Sequence, residues 1–259
     1  MSRILITGGT GDFGRHLAPL LLQRGQMVCI ASRRARRPGE WPEVEWAQAS
    51  LGAEAGWAEA LRDTPVVVHA ASDAANSRAM DVDGTRRLLD HARQARVQHF
   101  FYISIVGIER HPLAYYQHKL ATEHLIRASG LPWTILRATQ FHSFVDRILS
   151  AALKWPWPAA FLPLDFQFQT MATEEVAALT AEAVLTEPGG LLPDMGGPEV
   201  WRVRDMAAVW LAAQGKRKIL LPLWLPLAWA KSYQLGHNTC PERKVGKMTW
   251  KEWVKRKYG

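Results

Sequence analysis

The chain has 259 residues, 48% hydrophobic and 22% charged, a composition far from disordered or fibrous polymers and sufficient for one large α/β domain or two small ones. Its net charge of +8 is concentrated at 33–37, which holds four arginines, and at 243–259, which contributes +6, so the rest of the chain carries −2. A uniformly basic nucleic-acid binder is therefore disfavoured, and Cys29 and Cys240, far apart and outside any Cys/His cluster, suit neither a disulfide framework nor a zinc site.

The chain opens with Met1-Ser2-Arg3 and an apolar run that stops at Gly8, too short for a signal peptide's hydrophobic region, so a cytoplasmic protein is expected. Short apolar, β-branched runs at 3–7, 26–31, 44–47, 65–69, 98–103 and 132–137 predict strands. Helical periodicity fills 12–24, 53–62, 79–95 and 112–129. This alternation predicts an α/β fold of Rossmann type, a doubly wound parallel sheet with helices on both faces, whose ligands sit at the carboxyl ends of the strands.

Beyond residue 140 the pattern loosens. A helix is expected at 141–153, then Trp155-Pro-Trp-Pro158, a strand at 166–171, a helix from Thr173 to 186 and a glycine/proline stretch to Pro198. The predicted organisation is a dinucleotide-binding core over 1–140 and a smaller substrate-binding or lid region over 141–259, part of which completes the core sheet. Eight of the twelve tryptophans follow residue 150 and are read as core. The apolar stretch Ile219 to Ala230 is twelve residues long and holds Pro222 and Pro226. A membrane-spanning helix needs roughly 20 residues, so no transmembrane segment is expected. That stretch is read as buried against the core, with peripheral contact to a lipid surface as the competing reading. The basic tail after Arg243 is expected as a solvated C-terminal face.

Thr7-Gly8-Gly-Thr10-Gly11-Asp12-Phe13-Gly14 follows the first strand and opens the first helix. Gly8 suits the tight turn, Gly11 lets backbone approach a pyrophosphate, and Gly14 permits close helix–strand packing. The amides around Asp12 and Phe13 lie at the positive end of the helix, where phosphate oxygens bind. The second strand ends Ser32-Arg33-Arg34, and no acid occurs between Asp12 and Glu40. NAD sites place a carboxylate there to hold the ribose hydroxyls; Ser32, Arg33 and Arg34 suit a 2′-phosphate instead, which predicts NADP(H). Arg36 and Arg37 read as a solvated loop.

Ser104 ends the fifth strand, and Tyr115 and Lys119 stand four apart on the next helix, which Pro112 starts. An ammonium beside a phenol eases exchange of the phenolic proton, which suits protonation of a carbonyl oxygen as its carbon receives hydride. Tyr116 is the competing phenol. The histidines form no metal-ligand spacing with acids, and no metal is expected; His142 is the one that could face the nicotinamide end.

These segments, with His69-Ala70-Ala71 after the fourth strand, Asp81-Val-Asp-Gly-Thr85 opening a helix, Tyr102-Ile-Ser-Ile-Val-Gly107 and Gly130-Leu-Pro-Trp-Thr-Ile-Leu-Arg137, resemble the short-chain dehydrogenase/reductase superfamily, specifically its atypical, NmrA-like and epimerase/dehydratase-like members. The resemblance implies NADP binding at the glycine loop and at His69, Ala70 and Ala71. It also implies catalytic positions for Ser104, Tyr115 and Lys119, Lys119 also touching the nicotinamide ribose, and a role for Asp81 where extended members usually carry Asn. The family's second serine is Ile105 in this chain. The expected function is an NADP(H)-dependent oxidoreductase acting on a carbonyl, quinone or sugar-like small molecule. The alternative is a catalytically idle NADP(H)-binding redox sensor that signals to a partner protein.

Overall fold

Strands that are apolar on both faces need helices above and below them, and a computed structural model describes how residues 2–259 meet that need. In chain order the elements are β1 (Arg3–Thr7), α1 (Asp12–Gln23), β2 (Met27–Ser32), β3 (Glu45–Gln48), α2 (Trp57–Ala60), β4 (Val66–His69), a π-helical turn (Arg78–Asp83), α3 (Gly84–Gln94), β5 (His99–Ile105), α4 (Ala114–Arg127), β6 (Trp133–Ala138), α5 (His142–Leu153), β7 (Ala159–Leu162), β8 (Gln167–Phe168), α6 (Thr173–Ala183), β9 (Gly190–Leu191), β10 (Trp201–Arg202), α7 (Val203–Ala213), β11 (Ile219–Pro222), α8 (Ala228–Gln234) and α9 (Trp250–Tyr258). The chain divides into two compact units, one of Met1–Ser104, Ala114–Arg137 and Val176–Pro193, the other of Ile105–Leu113, Ala138–Glu175 and Asp194–Gly259.

The first unit is built on a parallel seven-stranded sheet in the order β3-β2-β1-β4-β5-β6-β9. The order reverses between β1 and β4, the point at which doubly wound sheets bind their ligands. The register places Thr7 opposite both Ala31 and His69, so the carboxyl ends of β1, β2 and β4 are level. Leu5, Cys29, Val67, Phe100 and Ile135 are fully buried in one continuous core with Trp57. Burial pushes the Cys29 thiol up to about 11, so it behaves there as a small apolar side chain. The six strands expected from apolar runs all form, each within two residues of its expected bounds.

Two helices differ from the sequence pattern. The one expected at 53–62 is the single turn α2, because Gly56 lies directly against the Gln48 carbonyl at the end of β3. The one expected at 79–95 begins as a π turn. Thr122 Oγ1 donates to the Asp81 carbonyl at 2.9 Å, and a side chain inserted into the helical ladder widens it in this way.

The second unit holds two small sheets, β8 with β10 antiparallel and β7 with β11 parallel. The strand expected at 166–171 shortens to β8 because the Gln169 side chain bonds Gly197 and Cys240, drawing the chain away from β10. Aromatic rings fill much of this unit's interior: Trp210, Trp250 and Trp253 are buried, and Phe166, Phe168 and Tyr233 pack ring to ring. Not every tryptophan is core, however, since Trp155, Trp157 and Trp224 are exposed. The basic tail is the amphipathic helix α9, capped reciprocally by Thr249 and Glu252. Lys257 Nζ, Tyr258 Oη and Trp210 Nε1 all donate to the buried Asp146 carboxylate, at 2.7, 2.6 and 2.7 Å, while Arg256 pairs with Glu174. Part of the expected solvated face is therefore an anchored one. The stretch Ile219 to Ala230, read from sequence as buried, is largely exposed: only Ala230 is buried, while Ile219 and Trp224 are 62% and 79% exposed. Among the described residues no helix is long and apolar enough to cross a membrane.

A buried ion pair of the first unit lies between α4 and β6. Glu123, fully buried, accepts from Arg137 Nε at 2.8 Å and Nη2 at 2.7 Å, and from Arg127 at 2.9 Å. Removing one partner of such a pair leaves a charge with too little water and too few donors. Arg137→Ala is expected to lower the unfolding free energy by about 3 kcal/mol or more in urea titrations, whereas Glu123→Leu with Arg137→Met recovers most of it. An Arg137→Ala protein as stable as the parent would show that the pair is not structural.

Candidate active site

The site is assembled at the carboxyl ends of β1, β2, β4 and β5 and on the first turns of α1 and α4, all within the first unit. Gly8 has a φ of +72°, and a Cβ there would lie 2.8 Å from the Ala71 amide nitrogen, so the loops after β1 and β4 touch backbone to backbone. Gly14 packs just as closely on the loop itself, where a Cβ would meet the Gly9 Cα at 2.4 Å. Gly11 is the outward counterpart: it is exposed, and a Cβ would find only the Gly8 carbonyl within 4 Å. No side chain caps α1 at Gly11, so the positive end of that helix begins at an open backbone cradle of the shape a pyrophosphate needs. Thr10 adds its carbonyl, which accepts from the Arg15 guanidinium at 3.2 Å. Arg15, absent from the sequence reading, thereby brings an exposed cation to the loop.

Thr7 and His69 lock this corner from inside. His69 is fully buried, its Nδ1 2.7 Å from Thr7 Oγ1 and its Nε2 2.8 Å from Thr85 Oγ1, while Thr7 Oγ1 also accepts from the Ala70 and Ala71 amides at 3.3 Å. Both ring nitrogens of His69 are thus used within the fold, and its side chain positions the loop after β4 rather than presenting itself outward. Burial, reinforced by the Lys119 charge, pushes its pKa down to about 3.

At the end of β2, Ser32 is buried and Arg33 exposed, with no carboxylate within ion-pair distance of Arg33 among the described residues. Arg34 is placed differently. Its guanidinium grips the Glu40 carboxylate, at 2.7 Å through Nη1, and lies 5.0 Å over the Trp46 ring. Arg36 Nε donates to the Glu40 backbone carbonyl at 2.7 Å, and the Arg37 backbone amide donates to the Glu40 carboxylate at 3.2 Å. Arg34 and Arg36 therefore turn their guanidinium groups toward residue 40, whereas Arg33 and Arg37 are exposed.

The other half of the site surrounds Lys119, which is 3% exposed. Its Nζ donates to the Ile103 carbonyl at 3.1 Å, stands 3.8 Å from Asp81 Oδ1 and lies 4.7 Å over the Tyr102 ring. Burial works against the ammonium, but Tyr102, Tyr115 and Asp81 more than offset it and hold Lys119 above the usual lysine range. Lys119 is a cation at neutral pH. Tyr102 itself is pushed up by burial and stays a neutral phenol. Asp81, equally buried, accepts from Ser72 Oγ at 2.6 Å and from the Asp73 amide at 3.1 Å. Ser72 Oγ is also 3.1 Å from the Tyr115 hydroxyl. Because the single Ser72 proton points to Asp81, the Tyr115 O–H donates to Ser72, giving a chain from phenol to serine to carboxylate.

Tyr115 is half-buried, whereas Tyr116 is 2% exposed and faces the interior, so Tyr115 is the phenol a substrate can reach. Ser104 Oγ is buried with no hydrogen-bond partner among the described residues. Leaving such a group unpaired costs about 1–3 kcal/mol, a deficit that a bound oxygen atom removes. The open cradle and this orphaned hydroxyl both fit a nicotinamide cofactor with its substrate. Of the residues the sequence singles out, Asp81, Tyr115 and Lys119 are brought into one connected group, and Ser104 stands at the end of the strand that supplies Ile103. His142 is held in the second unit by Thr170 and Met248. Sequence reasoning missed Ser72, whose only signal was its place just after His69-Ala70-Ala71.

A family model described as NAD(P)H-binding matches residues 8–147. A (4-alkanoyl-5-oxo-2,5-dihydrofuran-3-yl)methyl phosphate reductase of Streptomyces griseus is 28% identical over 211 residues, 79% of this chain and 71% of the relative. Quinone oxidoreductase 2 of Escherichia coli is 25% identical over 83% of this chain and 75% of its own length. The crystal structure of an NADPH-dependent quinone oxidoreductase from Escherichia coli, complexed with NADPH, superposes with a TM-score of 0.81, 19% identity, and coverage of 99% of this chain and 100% of that one.

The depressed His69 has a consequence for stability. The unfolded chain binds the imidazole proton at about the ordinary value of 6.5 and the folded chain only at about 3, so acid favours unfolding. Stability is full above pH 6.5 and declines as pH falls through the window between those values, by up to about 1.4 kcal/mol per pH unit. Denaturant titrations from neutral to acidic pH are expected to show this decline, and His69→Asn to show a shallower one. An unchanged slope in the variant would remove His69 as the cause.

Proposed function

The chain belongs to the NAD(P)H-binding family, of atypical short-chain dehydrogenase/reductase type, and on that premise we propose that it is an NADP(H)-dependent oxidoreductase reducing a carbonyl, quinone or sugar-like small molecule. The observation that carries this reading is the connected chain Tyr115–Ser72–Asp81 beside the Lys119 ammonium. A protein that merely held the cofactor would have no need of a reachable phenol wired to a buried carboxylate.

Bound NADPH supplies the hydride. The protein's part is to bind, orient and protonate. The cradle at Gly8, Gly11 and Gly14, with Thr10, Asp12 and Phe13 around it and Ala70 and Ala71 bordering it, takes the pyrophosphate. Ser32 and Arg33 take the 2′-phosphate, Arg33 through its exposed guanidinium and Arg34 through general positive potential, since its fork is closed on Glu40. The Tyr115 hydroxyl gives its proton to the substrate oxygen, and Ser104 Oγ holds that same oxygen by a second hydrogen bond. Ser72 is exposed and lies between Tyr115 and Asp81, so it can hand a solvent proton to the phenol oxygen after each turnover. Asp81 orients the Ser72 hydroxyl by accepting its hydrogen bond and is the counter-ion of Lys119. Lys119 stabilises negative charge on the phenol oxygen as the proton leaves and touches the nicotinamide ribose. We assign cofactor binding to 1–140 and substrate selection to 141–259.

The test is a pair of measurements on one protein. Titration with NADPH and NADH is expected to show NADPH binding more tightly by roughly tenfold or more, with Arg33→Ala erasing most of that preference. Tyr115→Phe is expected to keep NADPH affinity within about twofold and lower turnover on a carbonyl and quinone panel by roughly a hundredfold or more. Equal affinity for the two cofactors would overturn the role of Arg33. Wild-type protein that binds NADPH but turns over nothing on the panel would point to the redox-sensor reading.

A further inference from the structure

The second unit carries an apolar face that its own fold leaves open. Strands β7 and β11 pair in register, with Ile219 opposite Ala159 and Leu221 opposite Phe161. Paired residues of parallel strands point the same way, so these four share one side. Ile219 is 62% and Phe161 65% exposed, whereas Leu162, on the opposite side, is buried. The flanking loops continue the surface with Trp155 and Trp157 ahead of β7 and Leu223, Trp224 and Leu227 after β11. Lys218 Nζ donates to the Trp155 and Trp157 carbonyls at 2.5 and 2.6 Å and so ties the tryptophan loop to the start of β11.

The segments that carry this face are basic: 147–164 and 206–241 hold Arg147, Lys154, Lys216, Arg217, Lys218 and Lys231 and no aspartate or glutamate, the flanking acids being Asp146, Asp165, Asp205 and Glu242. Lys216, Arg217 and Lys218 stand at the start of β11, where they also line a surface cavity of about 510 Å³ with Ala208, Leu211 and Leu220, on the side of the strand opposite Ile219 and Leu221. We propose that this face docks on an anionic lipid bilayer surface, its tryptophans and Phe161 at headgroup depth and its cations on the lipid phosphates. Tryptophan prefers the bilayer interface because its ring is apolar and its N–H polar, and a lysine or arginine beside an anionic leaflet gains attraction that salt weakens. A second copy of the chain is a poorer occupant. A symmetric interface through this face would set the cations of one protomer against those of the other with no acid in these segments to separate them.

The experiment is co-sedimentation of the full chain with vesicles of phosphatidylcholine alone and with roughly one-third phosphatidylglycerol. Wild-type protein is expected to pellet with the anionic vesicles, to stay in solution with the neutral ones, and to be released by added salt. Two variants of exposed residues probe the two contributions: Trp157→Ser with Trp224→Ser, and Lys216→Glu with Arg217→Glu. Each is expected to lower vesicle affinity by roughly tenfold or more while melting at the wild-type temperature. The charge-reversal pair keeps the test decisive if the tryptophan pair melts early. Protein that stays in solution with both vesicles, or variants that bind as well as the parent, would overturn the proposal. So would a dimer in light scattering that Trp224→Ser dissociates while vesicles have no effect, since a second copy would then be the occupant.

Discussion

Lys119 is almost completely buried, and an ammonium at that depth survives only if the fold surrounds it with compensation. The Ile103 carbonyl, the Asp81 carboxylate and the face of Tyr102 provide it, from the end of β5, from the π turn ahead of α3, and from β5 again. Much of the chemistry follows from meeting this one demand. Asp81 must be buried beside Lys119, so its remaining lone pairs must be satisfied, and Ser72 and the Asp73 amide satisfy them. Ser72 then meets the Tyr115 hydroxyl, and this half-buried phenol is fixed by the same network that surrounds the lysine. Even the irregular helix fits, for the Thr122 hydroxyl that draws out the Asp81 carbonyl holds the carboxylate's own backbone in place.

The two halves of the site differ in how far local sequence determines them. Gly8, Gly11 and Gly14 act through backbone shape, which is a property of a few consecutive residues, so their roles are readable from the string Thr7 to Gly14 with its preceding strand. The early strands are readable for the same reason, since apolar runs of that length can be covered on both faces in few ways. Ser72 is not readable, because its function depends on a loop after β4 meeting residues 43 positions later on α4. Nor is the closure of Arg34 on Glu40, which takes the charge that composition alone assigns to a phosphate. His69 shows a third case: its place after β4 is legible, whereas the burial of its ring between Thr7 and Thr85 depends on partners 62 and 16 positions away.

In the second unit, apolar composition could not distinguish a core from a surface. Trp210, Trp250 and Trp253 are interior while Trp155, Trp157 and Trp224 are not, and nothing in the identity of the residue separates them. The separation comes from Asp146, which gathers Trp210, Lys257 and Tyr258 and docks α9, and from the short pairing of β7 with β11, which leaves one side uncovered. The excess of positive charge in the whole chain thereby resolves into three physical settings: an arginine run partly closed on Glu40, a helix moored by Asp146 and Glu174, and basic segments that carry exposed aromatic side chains.

In the proposed function, the Lys119-centred network couples proton transfer to hydride transfer. The measurement that reaches it most directly is the rate of NADPH oxidation with the cofactor deuterated at its transferable position, in ordinary water and in heavy water, using a quinone or carbonyl acceptor. The account predicts a slower rate with the deuterated cofactor, slowed further by heavy water, and loss of the solvent effect in Tyr115→Phe. NADPH that binds but retains its deuterium and is never oxidised would contradict it.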